Sequence, residues 1–229
     1  MNITPTSTIR GLIRLMKDKG YVINEKPYQI NIVGVRKDSV TPNAFDDRIY
    51  TFWRDDKGKL QGKDYASTTD PSTYWLKNPM NVDGTAILKA GQWAYKLGSH
   101  RGYEALNQRG KVSVLRDYDR NAILDFQNGK EDTGYFGINI HRASSTGSST
   151  NVDKWSAGCQ VIQDRKGWDD FLSDVKRSVN QYGNESLFYT LVDERALNRK
   201  VKRWVVYFLV GVATTIALYG GSKYVISKA

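Results

Sequence analysis

Between Tyr28 and Val192 the chain is a succession of short alternating runs, cut at close intervals by Pro, Asn, Asp and Gly. Tyr28 to Val35 sets Tyr28, Ile30 and Ile32 against Gln29 and Asn31, and a period of two places each set on its own face of a strand. Arg48–Trp53 reads as another strand, followed by a hairpin-like turn over Asp55–Lys59. Thr68–Leu76, Ala86–Leu88, Gln92–Leu97, Lys111–Arg116 and Leu187–Val192 extend it. Such spacing predicts a β-sandwich or barrel and argues against a helical bundle. Two segments carry a helical period instead. Ile9, Leu12, Ile13 and Met16 share one face of a helix that Ser7 or Thr8 can cap and Gly20 can end. Within Gly167–Val179, Trp168, Phe171, Leu172, Val175 and Val179 form a core-facing stripe. The expected class is therefore α+β, mainly β. Apolar residues make up 40% of the 229, enough to bury one sizeable domain and leave an appendage.

The net charge of +10 suits an anionic partner, whether nucleic acid, anionic lipid or wall polymer. Paired zinc ligands, a glycine-rich phosphate loop and a ribonucleoprotein sequence are all missing, so no nucleic-acid partner is expected. Asp46-Asp47 can hold a cation or a substrate amine, or can cap a strand entry. Asp117-Tyr118-Asp119-Arg120-Asn121 through Asp125 spaces oxygen ligands like the start of an EF-hand loop. Ala122 stands at its glycine position and Asn128 at its closing Glu, so it reads as a polar connecting turn. Neither metal nor cofactor is expected.

Chemistry concentrates elsewhere. The chain has one cysteine and two histidines, and His141 precedes Cys159 by 18 positions. An apolar run ends at His141, a Ser/Thr/Gly-rich loop follows, and Ser156-Ala157-Gly158 delivers Cys159 on a small-residue turn. A lone cysteine cannot form an intramolecular disulfide, so it is either a buried structural residue or a chemical one. A thiolate is a competent nucleophile, a nearby imidazole can generate it, and Gly158 lets turn amides converge on an oxyanion.

With fourteen residues between His141 and Ser156, this stretch resembles the signature of the L,D-transpeptidases (YkuD-like domains), in a divergent phage- and Bacteroidetes-associated form. Thr69-Asp70-Pro71-Ser72-Thr73-Tyr74 resembles that family's strand entry, which draws Tyr74 into the substrate-binding set. The resemblance implies an L,D-transpeptidase-like β-sandwich or barrel in which Cys159 is acylated and His141 is its base. Ser156, Ala157 and Gly158 would complete the catalytic turn, with the amides of Ala157, Gly158 and Cys159 lining the oxyanion hole. It also implies a peptidoglycan stem peptide as substrate, transferred to an amine or to water. Ala157 occupies the family's second histidine position, and His100 can supply that imidazole or be a loop residue with local bonds. Arg101 and Arg142, each directly after a histidine, can grip a substrate carboxylate. The alternative is a non-catalytic wall-binding or virion structural protein that keeps the fold.

The first twenty residues are interrupted by Arg10, Arg14 and Lys17, so a secretory signal peptide is not expected. Trp204–Ser222 is a run of 19 uncharged, largely apolar residues, long enough to cross a bilayer, with Trp204, Tyr207, Tyr219 and Tyr224 as interfacial aromatics. A single-pass C-terminal anchor is expected, in the host inner membrane or a virion. Ala213, Ala217 and Gly221 offer a face for helix-mediated self-association. Basic residues crowd the segment before the span, and the positive-inside bias puts the domain in the cytoplasm, from which a phage enzyme would meet the wall at lysis or entry. The expected organisation is an N-terminal helix over 1–26, the catalytic domain over 27–193, a basic segment over 194–203 and the transmembrane helix over 204–226.

Overall fold

In the computed structural model, which describes residues 2–194, twelve strands form, of which Leu60–Thr68, Tyr103–Gln108 and Lys130–Gly134 go beyond the runs read from the sequence, and the two helical stripes become helices. In chain order the elements are β1 (Asn2–Ile3), α1 (Thr6–Asp18), β2 (Asn31–Arg36), β3 (Asp47–Arg54), β4 (Leu60–Thr68) and α2 (Thr73–Lys77). They continue with β5 (Thr85–Leu88), β6 (Gly91–His100), β7 (Tyr103–Gln108), β8 (Val112–Asp117) and β9 (Lys130–Gly134). The last are β10 (Ile140–Arg142), β11 (Gln160–Ile162), α3 (Arg165–Tyr182) and β12 (Phe188–Asp193).

Strands β4-β11-β10-β7-β6-β12-β2-β3 hydrogen-bond in that order, and β3 pairs back onto β4, closing an eight-stranded barrel. The pairs β10–β11 and β12–β2 are parallel, and the other barrel pairs are antiparallel. Two hairpins owe their turns to local chemistry. Asp55 Oδ1 accepts the amides of Lys57 and Lys59 between β3 and β4. Arg101 (φ 50) and Gly102 (φ 80) both take the left-handed region between β6 and β7, as a two-residue I′ turn requires. That turn pairs His100 with Tyr103.

The core gathers Ile32, Ile49, Leu106, Ile140, Ile162 and Leu191 from the strands, and Ile30 just before β2, with Trp168, Phe171, Leu172 and Val175 of α3. Asp164 caps α3 by accepting the Gly167 amide at 2.7 Å, and Lys63 of β4 holds its flank through Asp170 (2.9 Å) and Asp174 (2.6 Å). A separate three-stranded sheet, β5-β8-β9, faces this core with Ala86, Leu88, Val112 and Val114. Its other face meets Leu76 of α2 and Leu124 through Ile87 and Leu115. The alternation of period two supplies both faces.

Two local expectations need correction. Thr68–Leu76 is not one strand: β4 ends at Thr68, and Ser72 caps the short helix α2 by accepting the Trp75 amide. Pro71 has no amide for a ladder and Ser72 prefers a cap, which outweighs the strand preference of Tyr74 and Trp75. Helix α1 starts earlier than Ser7: Pro5 takes the capping position, with no side-chain cap, and the buried face is Ile9, Leu12, Leu15 and Met16. The bare Gly62 of β4 accommodates Ile9, so α1 packs on the barrel as part of the same unit. No helix among the described residues is long and apolar enough to cross a membrane. The span expected over 204–226, and the basic segment before it from residue 195 on, lie outside the described residues.

Candidate active site

Cys159 stands immediately before β11, and β10 runs parallel beside it with Ile140 opposite Gln160. This register brings Cys159 alongside Gly137–Asn139: the Gln160 amide donates to the Asn139 carbonyl at 2.9 Å, and the Asn139 amide donates to the thiol sulfur. The Sγ–H donates to the Gly137 carbonyl at 3.6 Å. Among the described residues no imidazole nitrogen hydrogen-bonds Sγ. Burial pushes the Cys159 thiol up, while the Asn139 amide and the Arg101 charge pull it down.

The turn before Cys159 is rigid. The Ser156 hydroxyl donates to the Cys159 carbonyl at 2.7 Å and accepts the Gly158 amide at 3.1 Å. The Ser72 amide donates to the Ser156 carbonyl at 3.0 Å, tying the turn to the start of α2. Gly158 adopts φ +124, and a Cβ there would overlap the Ala86 carbonyl oxygen of β5. Glycine is therefore required twice over, by conformation and by space. The Gly158 amide is thus committed to Ser156.

Behind the turn, Gln160 Nε2 donates to the carbonyls of Gly158 (3.1 Å) and Thr69 (3.3 Å), while its Oε1 accepts the Tyr189 hydroxyl at 2.8 Å. Arg36 extends this buried lattice with Nη2 donating to the carbonyls of Thr69 (3.2 Å) and Leu88 (2.8 Å) and Nε lying 2.7 Å from Asp70. Asp47 accepts the amides of Lys37 and Thr69, each at 2.7 Å, so it serves the strand entry and not a ligand.

His141 is buried, and its Nδ1 lies 2.7 Å from the Arg142 carbonyl. A carbonyl can only accept, so Nδ1 carries the proton and Nε2 of the neutral ring carries the lone pair. That Nε2 is buried with no partner. Burial pushes His141 down to about 4, against the pull of the Arg142 carbonyl, and the neighbouring His100, Arg101 and Arg142 add to the fall. At neutral pH His141 is an uncharged base.

The His100 ring stacks on His141, with centroids 4.8 Å apart and planes 23° from parallel. Its tautomer is fixed by Asn139. The Asn139 Oδ1 accepts the Gln108 amide (3.4 Å) and Asn107 Nδ2 (3.1 Å), so its Nδ2 must be what faces His100 Nδ1 at 3.1 Å. His100 Nδ1 then accepts, leaving Nε2–H as the donor of a neutral ring. Burial and the Arg101 charge push His100 below its usual range. The stacked rings thus hold opposite tautomers, one with a free lone pair and one with a free proton.

Two clefts open in this part of the fold. One, of about 60 Å³, is lined by His100, Arg101, Tyr103, His141, Arg142 and Trp155. There the Arg142 guanidinium sits 4.1 Å from the Tyr103 ring centre, and among the described residues it has no carboxylate partner. The other, of about 280 Å³, is lined by Trp75, Thr85, Ala86, Arg116, Phe136 and Ala157. Tyr74 stands against Trp75 and under Lys154, outside the histidine cleft. The fold therefore gathers His100, Arg101, His141 and Arg142, sets the Ser156–Cys159 turn beside them and leaves Tyr74 apart. Sequence reasoning missed Asn139. Its signal was available, since Asn139 and His141 share one face of an alternating run whose other face is Ile138 and Ile140.

Comparison of this chain with protein-family models, with curated proteins and with solved structures gives no match.

Proposed function

We propose that this protein is a cysteine acyltransferase or peptidase of the L,D-transpeptidase type, acting on peptidoglycan stem peptides. The observation that carries the reading is the buried His141 ring, held in the tautomer whose Nε2 is unpartnered, on β10 beside β11, which the sole cysteine immediately precedes. In this reading the Cys159 thiol leaves the Gly137 carbonyl, passes its proton to His141 Nε2 and attacks the stem-peptide carbonyl carbon. The Ala157 and Cys159 amides hold the oxyanion. As the C–N bond breaks, the imidazolium returns the proton to the departing amine, leaving a thioester on Cys159. An amine or water, giving a proton to His141, then attacks the thioester; the C–S bond breaks and the Cys159 sulfur takes that proton back. Arg142 takes a stem-peptide carboxylate, which fits a guanidinium without an acidic partner. A C-terminal anchor over 204–226 and a phage origin belong to the same proposal.

One observation favours a non-catalytic wall-binding or virion protein instead: the thiol proton goes to Gly137, and burial raises its pKa. Mass spectrometry of peptidoglycan incubated with the full chain in detergent separates the two readings. New cross-links or trimmed stems that vanish in Cys159→Ala support the enzyme. Identical digests from wild type, variant and blank across several wall types would leave only the binding protein.

A further inference from the structure

The connection between β8 and β9 takes no part in the chemistry above. It leaves the small sheet at Asp117 and passes through two left-handed residues, Arg120 (φ 59) and Ala122 (φ 64). Ala122 adopts the conformation for which a calcium loop uses glycine, so its Cβ does not prevent the turn. One carboxylate oxygen from each of Asp117, Asp119 and Asp125 lies within 4.8 Å of the other two. Among the described residues no Lys or Arg forms an ion pair with any of the three. The like charges instead face one another.

Asp117 supplies the independent observation. It is fully buried, and its Oδ2 accepts the Asp125 amide at 3.2 Å, but its Oδ1 is buried with no donor. A buried carboxylate oxygen without a partner is costly in a native fold, and here the carboxylate belongs to a cluster of three acids. A cation satisfies both the orphaned oxygen and the mutual repulsion.

The geometry points to a calcium site formed by Asp117, Asp119 and Asp125. Oxygens on opposite sides of a Ca²⁺ ion stand about 4.8 Å apart, twice a bond of about 2.4 Å, so the three carboxylates can share one ion with little movement. The donors are all oxygen, which disfavours zinc, and Mg²⁺ demands a smaller octahedron and gives up water reluctantly. Backbone carbonyls and water complete the six to eight ligands that Ca²⁺ takes. The ion would brace more than a loop. Asp117 pairs with Thr85 across β5–β8, and Arg116 Nη1 donates to the Gly84 carbonyl at 3.2 Å. Gly84, Thr85 and Arg116 all line the larger cleft beside Ala157. A bound ion therefore stiffens one wall of that cleft, whatever reaction occurs there.

The test uses the full chain in detergent, stripped with EDTA and titrated with CaCl₂. One ion per chain is expected, with a Kd of roughly 10⁻⁴ to 10⁻³ M because the closing bidentate Glu is Asn128. At 10 mM Ca²⁺ the melting temperature should rise by about 5 °C. Asp119→Asn combined with Asp125→Asn should abolish that rise, yet melt at or above wild type in EDTA because repulsion is relieved. Should the double variant not fold, Tb³⁺ luminescence excited through Tyr118 decides: Ca²⁺ should quench it in wild type, and Tyr118→Phe should lose most of the signal. A wild-type melting shift no larger than with Mg²⁺ or salt of equal ionic strength overturns the site. So does an undiminished shift in the double variant, or Tb³⁺ emission that Ca²⁺ leaves unchanged.

Discussion

Gly158→Ala tests whether the cysteine turn is as tightly specified as it looks. Gly158 sits at φ +124, where an L side chain is strained by about 1–3 kcal/mol. Its added Cβ would also lie nearer than 3.0 Å to the Ala86 carbonyl oxygen, a backbone atom of β5 that cannot swing aside. Relieving that overlap needs about 1 Å of movement between the turn and β5, at an overpacking cost of about 1–3 kcal/mol. The expected total is about 3–4 kcal/mol, or about 10 °C in melting temperature for a domain of this size. Gly147 is the control: its φ is +66 but nothing stands within 4 Å of its added Cβ, so Gly147→Ala should lose only about 1 kcal/mol. On the proposed acyl transfer, a displacement of 1 Å at the nucleophile costs about 100-fold in rate, so any stem-peptide turnover should fall by that factor at temperatures where the variant is folded. Urea denaturation of both variants, with turnover measured at 15 °C, supplies both numbers. Equal midpoints for the Gly158 and Gly147 variants would show that β5 yields freely, and the account of the turn would be wrong.

Two further outcomes follow from the buried groups. His141 has a folded pKa near 4 against an ordinary 6.5, so its contribution to stability is complete above about 6.5 and disappears as pH falls through 4. At pH 4.5 the wild type should have lost about 2.5 kcal/mol more than His141→Gln does, read from urea curves at pH 7 and 4.5; parallel losses would refute the buried neutral ring. Gln160→Leu should cost about 3–5 kcal/mol, because it strips partners from the Gly158 and Thr69 carbonyls and the Tyr189 hydroxyl. A calorimetric loss below about 1 kcal/mol would mean that those groups find other partners.

Strands were legible from runs of β-branched and aromatic residues, as in Ile49-Tyr50-Thr51-Phe52, and the helix α3 was legible from its stripe of Trp168, Phe171, Leu172 and Val175. Thr73–Lys77 was not, because two aromatics with strand preference hid a cap at Ser72. Barrel closure was illegible for another reason: β4 meets both β3 and β11, and nothing local to Ser67 or Thr68 announces a partner nearly a hundred residues away. The same holds for His100, whose local sequence gives a hairpin turn but whose stacking on His141 depends on β10 pairing with β7. Asn139 was readable in principle, as the polar neighbour of His141 on one strand face.

Closure of the barrel has a consequence for how the molecule behaves in a crowd. A closed sheet offers no free backbone ladder to a neighbour, so among the described residues the unpaired edges are left to the two-residue β1 and to the small sheet. Its outer strand β9 reads Lys130-Glu131-Asp132, charges that repel a strand docking edge to edge. That outer edge is therefore guarded against the strand-to-strand growth that open β-proteins risk.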